Sequence, residues 1–148
     1  MQRQNPIIII DDDPDDLEVY QELLQQVLEE LSLKNALHFY TSSKEMLKDL
    51  EASKRIPALL LCALHMKNEN GLQIKKALME DPRIPGIRFP VILLADVPSD
   101  EEIEMSYTLH VQGVFEKPYN LTNLRSIFYH LLGYWKHCKF PFKNNGAY

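Results

Sequence analysis

Short, almost unbroken apolar runs alternate along this chain with longer stretches in which apolar residues recur every three or four positions. The runs are Ile7 to Ile10, Leu59 to Leu64, Val91 to Ala95 and Val111 to Phe115. Uninterrupted hydrophobicity of this length suits strands buried on both faces. Ala36 to Tyr40 is shorter and more polar, as an edge strand would be. Between the first two runs, Leu17, Tyr20, Leu24, Val27, Leu28 and Leu31 recur at helical spacing, and Asp13-Pro14 supplies an N-cap and a proline in the first turn. Ser42 with Glu45 and Ser99 with Glu102 have the spacing of capping boxes and open the second and fourth helices. Asn70-Gly71 precedes Leu72, Ile74, Ala77 and Leu78, and Asn120 precedes Leu121, Leu124, Ile127, Phe128, Leu131 and Leu132, giving the third and fifth. Five strands alternating with five helices through right-handed crossovers specify an α/β fold, a three-layer doubly wound parallel sheet.

Length and charge narrow the class. At 148 residues the chain suits one domain, and no apolar run approaches the roughly 18 residues of a membrane span. The first residues lead into four isoleucines and then aspartates, which is not a secretory pattern, so a cytoplasmic location is expected. A formal charge of −5 argues against nucleic-acid binding, and Lys136, His137, Lys139 and Lys143 read as a solvated tail. Cys62 in an apolar run and Cys138 near the end read as free thiols. The division expected is one domain over residues 1–135 and a tail over 136–148.

Candidate chemistry gathers where the runs end. The acidic turn Asp11-Asp12-Asp13 follows the first, Ala63-Leu64-His65-Met66 closes the third, Ala95-Asp96 follows the fourth, and Phe115-Glu116-Lys117-Pro118 closes the fifth. Together these fragments resemble the strand ends of a CheY-like response-regulator receiver domain over roughly residues 6 to 132. The resemblance implies a flavodoxin-like sheet of order 2-1-3-4-5, with ligands at the carboxyl ends of the strands. It implies that Asp11, Asp12 and the backbone carbonyl of His65 form a magnesium site, that Lys117 contacts phosphoryl oxygens, and that a cis peptide precedes Pro118.

The departures from the family's pattern matter as much. Ala63 stands where the family has its phosphoacceptor aspartate, Ala95 where it has a threonine or serine hydroxyl, and Val114 where it has a switching aromatic. Aspartyl phosphorylation needs a carboxylate nucleophile, so the resemblance implies a pseudo-receiver: a non-enzymatic module of a two-component phosphorelay system that acts without phosphorylation. An engineered acceptor knockout would account for Ala63 and leave Ala95 and Val114 unexplained. The alternative within the sequence is a metal-dependent phosphoryl acceptor using Asp96. Glu116 is turned away from Lys117 by strand alternation, and Asp13 is better used as a cap. With the third carboxylate missing, magnesium binding is expected to be weak, because that ion relies on few carboxylates plus waters. The chain has no glycine-rich phosphate loop, no Gly-x-Ser-x-Gly elbow and no paired histidine spacing.

In the family a partner reads the face formed by the fourth helix, fifth strand and fifth helix. Here that face includes Tyr107, His110 and Val114. The partner expected is a protein, such as a sensor histidine kinase or a downstream signalling protein. A second copy could use this face or the carboxy-terminal aromatics Tyr134, Trp135, Phe140 and Phe142. Those aromatics either fold back on the domain's own core or make such a contact.

Overall fold

The structure, a computed structural model, describes residues 5–53, 55–84 and 89–140. Five parallel strands, β1 (Ile7–Ile10), β2 (Leu37–Tyr40), β3 (Leu59–Ala63), β4 (Val91–Ala95) and β5 (Gly113–Glu116), form one sheet in the order β2-β1-β3-β4-β5. They alternate with α1 (Pro14–Glu30), α2 (Ser43–Ser53), α3 (Gly71–Glu80), α4 (Asp100–Thr108) and α5 (Leu121–Lys136).

Strand alternation divides the interior into two cores. Ile7, Ile9, Leu59, Leu61, Ile92 and Leu94 point to one face and pack with Leu17, Leu24, Val27 and Leu28 of α1 and Leu124, Phe128 and Leu132 of α5. Ile8, Ile10, Leu60, Cys62, Val91, Leu93 and Ala95 point to the other and meet Met46 of α2 and Ile74 and Leu78 of α3. Both faces of the three central strands are therefore covered, which is why their sequences show no polar alternation. Among the described residues no helix is long and apolar enough to cross a membrane.

The helix starts are only partly those the spacing predicts. Asp13 caps α1, Ser99 and Glu102 form a capping box on α4, and Asn120 caps α5. Asn70 caps α3 and completes a box with Gln73. Ser42 and Glu45 form no box. Instead, Glu69 accepts hydrogen bonds from the backbone N–H (3.0 Å) and hydroxyl of Ser43, so a carboxylate 26 residues away satisfies the first donor of α2. The fifth strand begins at Gly113 rather than Val111. Leu109 ends α4, His110 takes a left-handed φ of 57°, and the Val111 N–H turns back to the Ser106 carbonyl at 2.9 Å, so Val111 belongs to the helix stop.

Candidate functional site

The carboxyl ends of β1, β3, β4 and β5 open into a cleft of about 200 Å³ lined by Asp11, Asp12, Asp13, Asp16, Tyr20, Ala63, His65, Leu94, Ala95, Asp96 and Lys117. Ala63 is the last residue of β3 and is 8% exposed, so a methyl group lies where the strand delivers its side chain to the cleft. Ala95 ends β4 and also presents a methyl. Val114 is half-buried and packs on the α2–α3 side of the sheet.

Asp11, one residue past β1, is almost fully buried. Its carboxylate accepts the Asp13 N–H at 3.0 Å and the Tyr20 hydroxyl at 3.5 Å. Burial pushes its pKa up to about 6, against the opposing pull of the Asp13 N–H. Asp12 accepts the Lys67 N–H at 2.7 Å, tying the β3–α3 loop to the start of α1. Asp13 is spent as the cap, accepting the Asp15 N–H at 2.9 Å. Asp96 is exposed at the edge of the cleft.

Lys117 follows β5, and its N–H donates to the Ala95 carbonyl at 2.7 Å. Its Nζ lies 3.0 Å from Oδ1 of Asp16 and 5.1 Å from the centroid of the Tyr20 ring. Burial disfavours the ammonium, but Tyr20 and Asp16 more than offset it, holding Lys117 above its ordinary range. Burial likewise pushes the Tyr20 hydroxyl up to about 12. The Lys117–Pro118 peptide is trans, since the described residues contain no cis bond, and this corrects the expectation of a cis-proline at Pro118. Trans is the lower-energy isomer even before proline, and Lys117 reaches Asp16 and Tyr20 from it.

A family model described as the response regulator receiver domain matches residues 7–129. The chain belongs to that family. Solved structures with the same fold include the phosphorylated cyanobacterial phytochrome response regulator RcpA, at 23% identity and a TM-score of 0.78, covering 94% of this chain and 99% of that one. The Mn(2+)-bound form of response regulator Rcp1 has 21% identity and a TM-score of 0.77, with 93% and 99% covered. A response regulator receiver domain from Rhodospirillum rubrum has 22% identity and a TM-score of 0.76, with 92% and 96% covered. Comparison with curated proteins finds no match.

Within this receiver the structure gathers Asp11, Asp12, Ala63, His65, Ala95, Asp96 and Lys117 around one cleft and leaves Val114 apart, on the sheet face that meets α2 and α3. It also brings in residues that the strand-end pattern passes over. Asp16 and Tyr20 lie four apart on α1 and so share the helix face turned to Lys117, a spacing legible in the sequence. Glu102, read as a capping residue, also bonds Nε2 of His65 at 2.7 Å. Asp11 and Asp12 fit a magnesium ion that keeps most of its waters, because Asp11 is a buried carboxylate that burial alone leaves poorly compensated. No group of three or more acidic, histidine or cysteine side chains placed to hold a metal occurs among the described residues.

Proposed function

We propose that this chain is a pseudo-receiver of a two-component system: it has lost its phosphoryl input at Ala63 and signals by phosphorylation-independent contact with a protein partner. The observation that carries this reading is the methyl of Ala63 at the end of β3, in a cleft where Asp12, Asp13 and Asp16 are already engaged. Asp13 caps α1, Asp12 holds the β3–α3 loop, and Asp16 pairs with Lys117. Neither Ala95 nor Val114 has a hydroxyl or ring with which to register a bound phosphate. The receiver spans residues 1–135 and the tail 136–148, with the correction that Lys136, read as solvated tail, ends α5 and donates from Nζ to the Leu31 carbonyl at 2.8 Å.

Magnesium, where bound, is held by Asp11, Asp12 and the His65 carbonyl, and binds weakly for want of a third carboxylate. When bound, the ion would supply positive charge to the aspartate pair. Lys117 holds charge at the back of the cleft, and Tyr20 shields it from water.

Output belongs to the surface of α4, β5 and α5. Tyr107 is 75% exposed and Tyr134 66%, beside exposed His110 and half-buried Val114. Trp135 is half-buried and covers the α1–α5 core, and the Phe140 ring packs on it edge to face with centroids 6.1 Å apart. Phe142 lies outside the described residues. A partner such as a sensor histidine kinase or a downstream signalling protein reads this surface in a single state, because a shift between states requires a ligand that binds them unequally.

Asp96, exposed at the cleft and not used as a helix cap as Asp13 is, supports the second reading, a non-standard acceptor. Incubation with magnesium and acetyl phosphate, followed by intact-mass measurement, separates the two. The expected spectrum is that of unmodified protein. A phosphoryl adduct that disappears in Asp96→Asn would establish the second reading.

A further inference from the structure

Lys117 is the only lysine or arginine among the described residues lining the cleft, which it shares with five aspartates. A cleft that receives a phosphoryl group needs a cation directed at the oxyanion. Here that cation is already occupied. Its Nζ is 3.0 Å from Asp16, lies over the face of Tyr20 and is only 21% exposed. Tyr20 is itself fixed from two sides, with its ring edge-on to Phe128 at 5.8 Å and its hydroxyl 3.5 Å from Asp11. Asp16 stands in the first turn of α1, anchored by the Asp13 cap.

We infer that Asp16 is a positioning residue that, with Tyr20, engages Lys117 in an internal ion pair and closes the cleft to oxyanions. This inference rests on the reading of the cleft as a former phosphoryl site, and it identifies a second lock, independent of Ala63. Two consequences follow. The cleft of the natural chain binds phosphate poorly for lack of a free cation. Restoring the acceptor at position 63 leaves most of the phosphoryl-accepting capacity missing until Asp16 is also changed.

The first test uses the full chain and inorganic phosphate, followed through the 15N signal of the Lys117 ammonium and nearby amides. Asp16→Asn should tighten phosphate binding roughly tenfold, the scale expected when a carboxylate in contact with the ammonium is removed at a partly exposed site. Asp96→Asn removes the same formal charge from the same cleft without touching Lys117, and should change binding far less. Asp16→Glu keeps the pair and should behave as the natural protein. The second test places each change on Ala63→Asp and adds magnesium and acetyl phosphate. An oxygen of the introduced carboxylate attacks phosphorus, and the bond from phosphorus to the acetyl oxygen breaks to release acetate. Intact mass should show several-fold more phosphorylated protein with Asp16→Asn than with Ala63→Asp alone, and no gain with Asp16→Glu. Absence of any gain from Asp16→Asn in both tests, or an equal gain from Asp96→Asn, overturns the inference. Neither outcome bears on whether the natural chain accepts phosphate, which the unsubstituted Ala63 protein, incubated with magnesium and acetyl phosphate, reports separately.

Discussion

At the scale of single residues, burial falls hardest on Asp11 among the acids of the cleft. A buried carboxylate whose pKa stands at about 6 rather than 3.8 binds its proton more tightly folded than unfolded. Ionising it therefore disfavours the fold, with the penalty absent below about pH 3.8 and complete above about pH 6. The difference corresponds to roughly 3 kcal/mol. Denaturant unfolding in a chelator should accordingly find Asp11→Asn more stable than the natural protein at pH 7, by up to that amount, with the two converging near pH 4. Parallel curves across that range would mean that Asp11 is not the strained acid. Asp11, Asp12, Ala63 and Lys117 were legible because each lies at or just past the end of an apolar run read as a strand. Asp16 was passed over although its four-residue spacing to Tyr20 is visible, because helical periodicity explains Tyr20 as core, and the 2%-exposed Tyr20 is indeed core while also lining the cleft.

At the scale of elements, the β3–α3 loop ties three other elements to the strand that ends at Ala63. Lys67 bonds Asp12 ahead of α1, Glu69 bonds Ser43 at the start of α2, and His65 bonds Glu102 in the first turn of α4. None of these partners is close in sequence, which is why the Ser42–Glu45 spacing misled while the local Ser99–Glu102 box did not. The start of β5 was misplaced for a related reason, since hydrophobicity marks Val111 as buried without revealing that its N–H closes α4. Replacing His65 by alanine should raise amide exchange in the first turn of α4 roughly two- to fivefold, the effect of losing one partly exposed hydrogen bond to a carboxylate. Ser99→Ala should raise it more, through the lost cap. Exchange that is unchanged in His65→Ala would separate the cleft from α4. The loop also depends on Gly71, where a Cβ would lie 2.7 Å from Cδ2 of Leu93 and 2.9 Å from the Ala63 carbonyl oxygen. Gly71→Ala should cost about 1–3 kcal/mol by overpacking, read as a lowered denaturant midpoint.

For the whole molecule, the sheet order and the two-sided core follow from the alternation of runs and amphipathic stretches, so the architecture was open to sequence reasoning almost entirely. What that architecture does here depends on the joining of two ends of the chemistry, a cleft with a methyl at Ala63 and Lys117 paired to Asp16, and a surface on α4, β5 and α5 that faces solvent. The central claim is that these two regions are no longer coupled through phosphate. Backbone NMR of the natural protein with magnesium, before and after addition of beryllofluoride as an acyl-phosphate mimic, addresses it directly. Magnesium should move amides near Asp11, Asp12 and His65 with weak affinity, and beryllofluoride should add nothing. Beryllofluoride-dependent shifts at Tyr107, Val114 and the exposed side of α5 would contradict the account and return this chain to the responsive receivers.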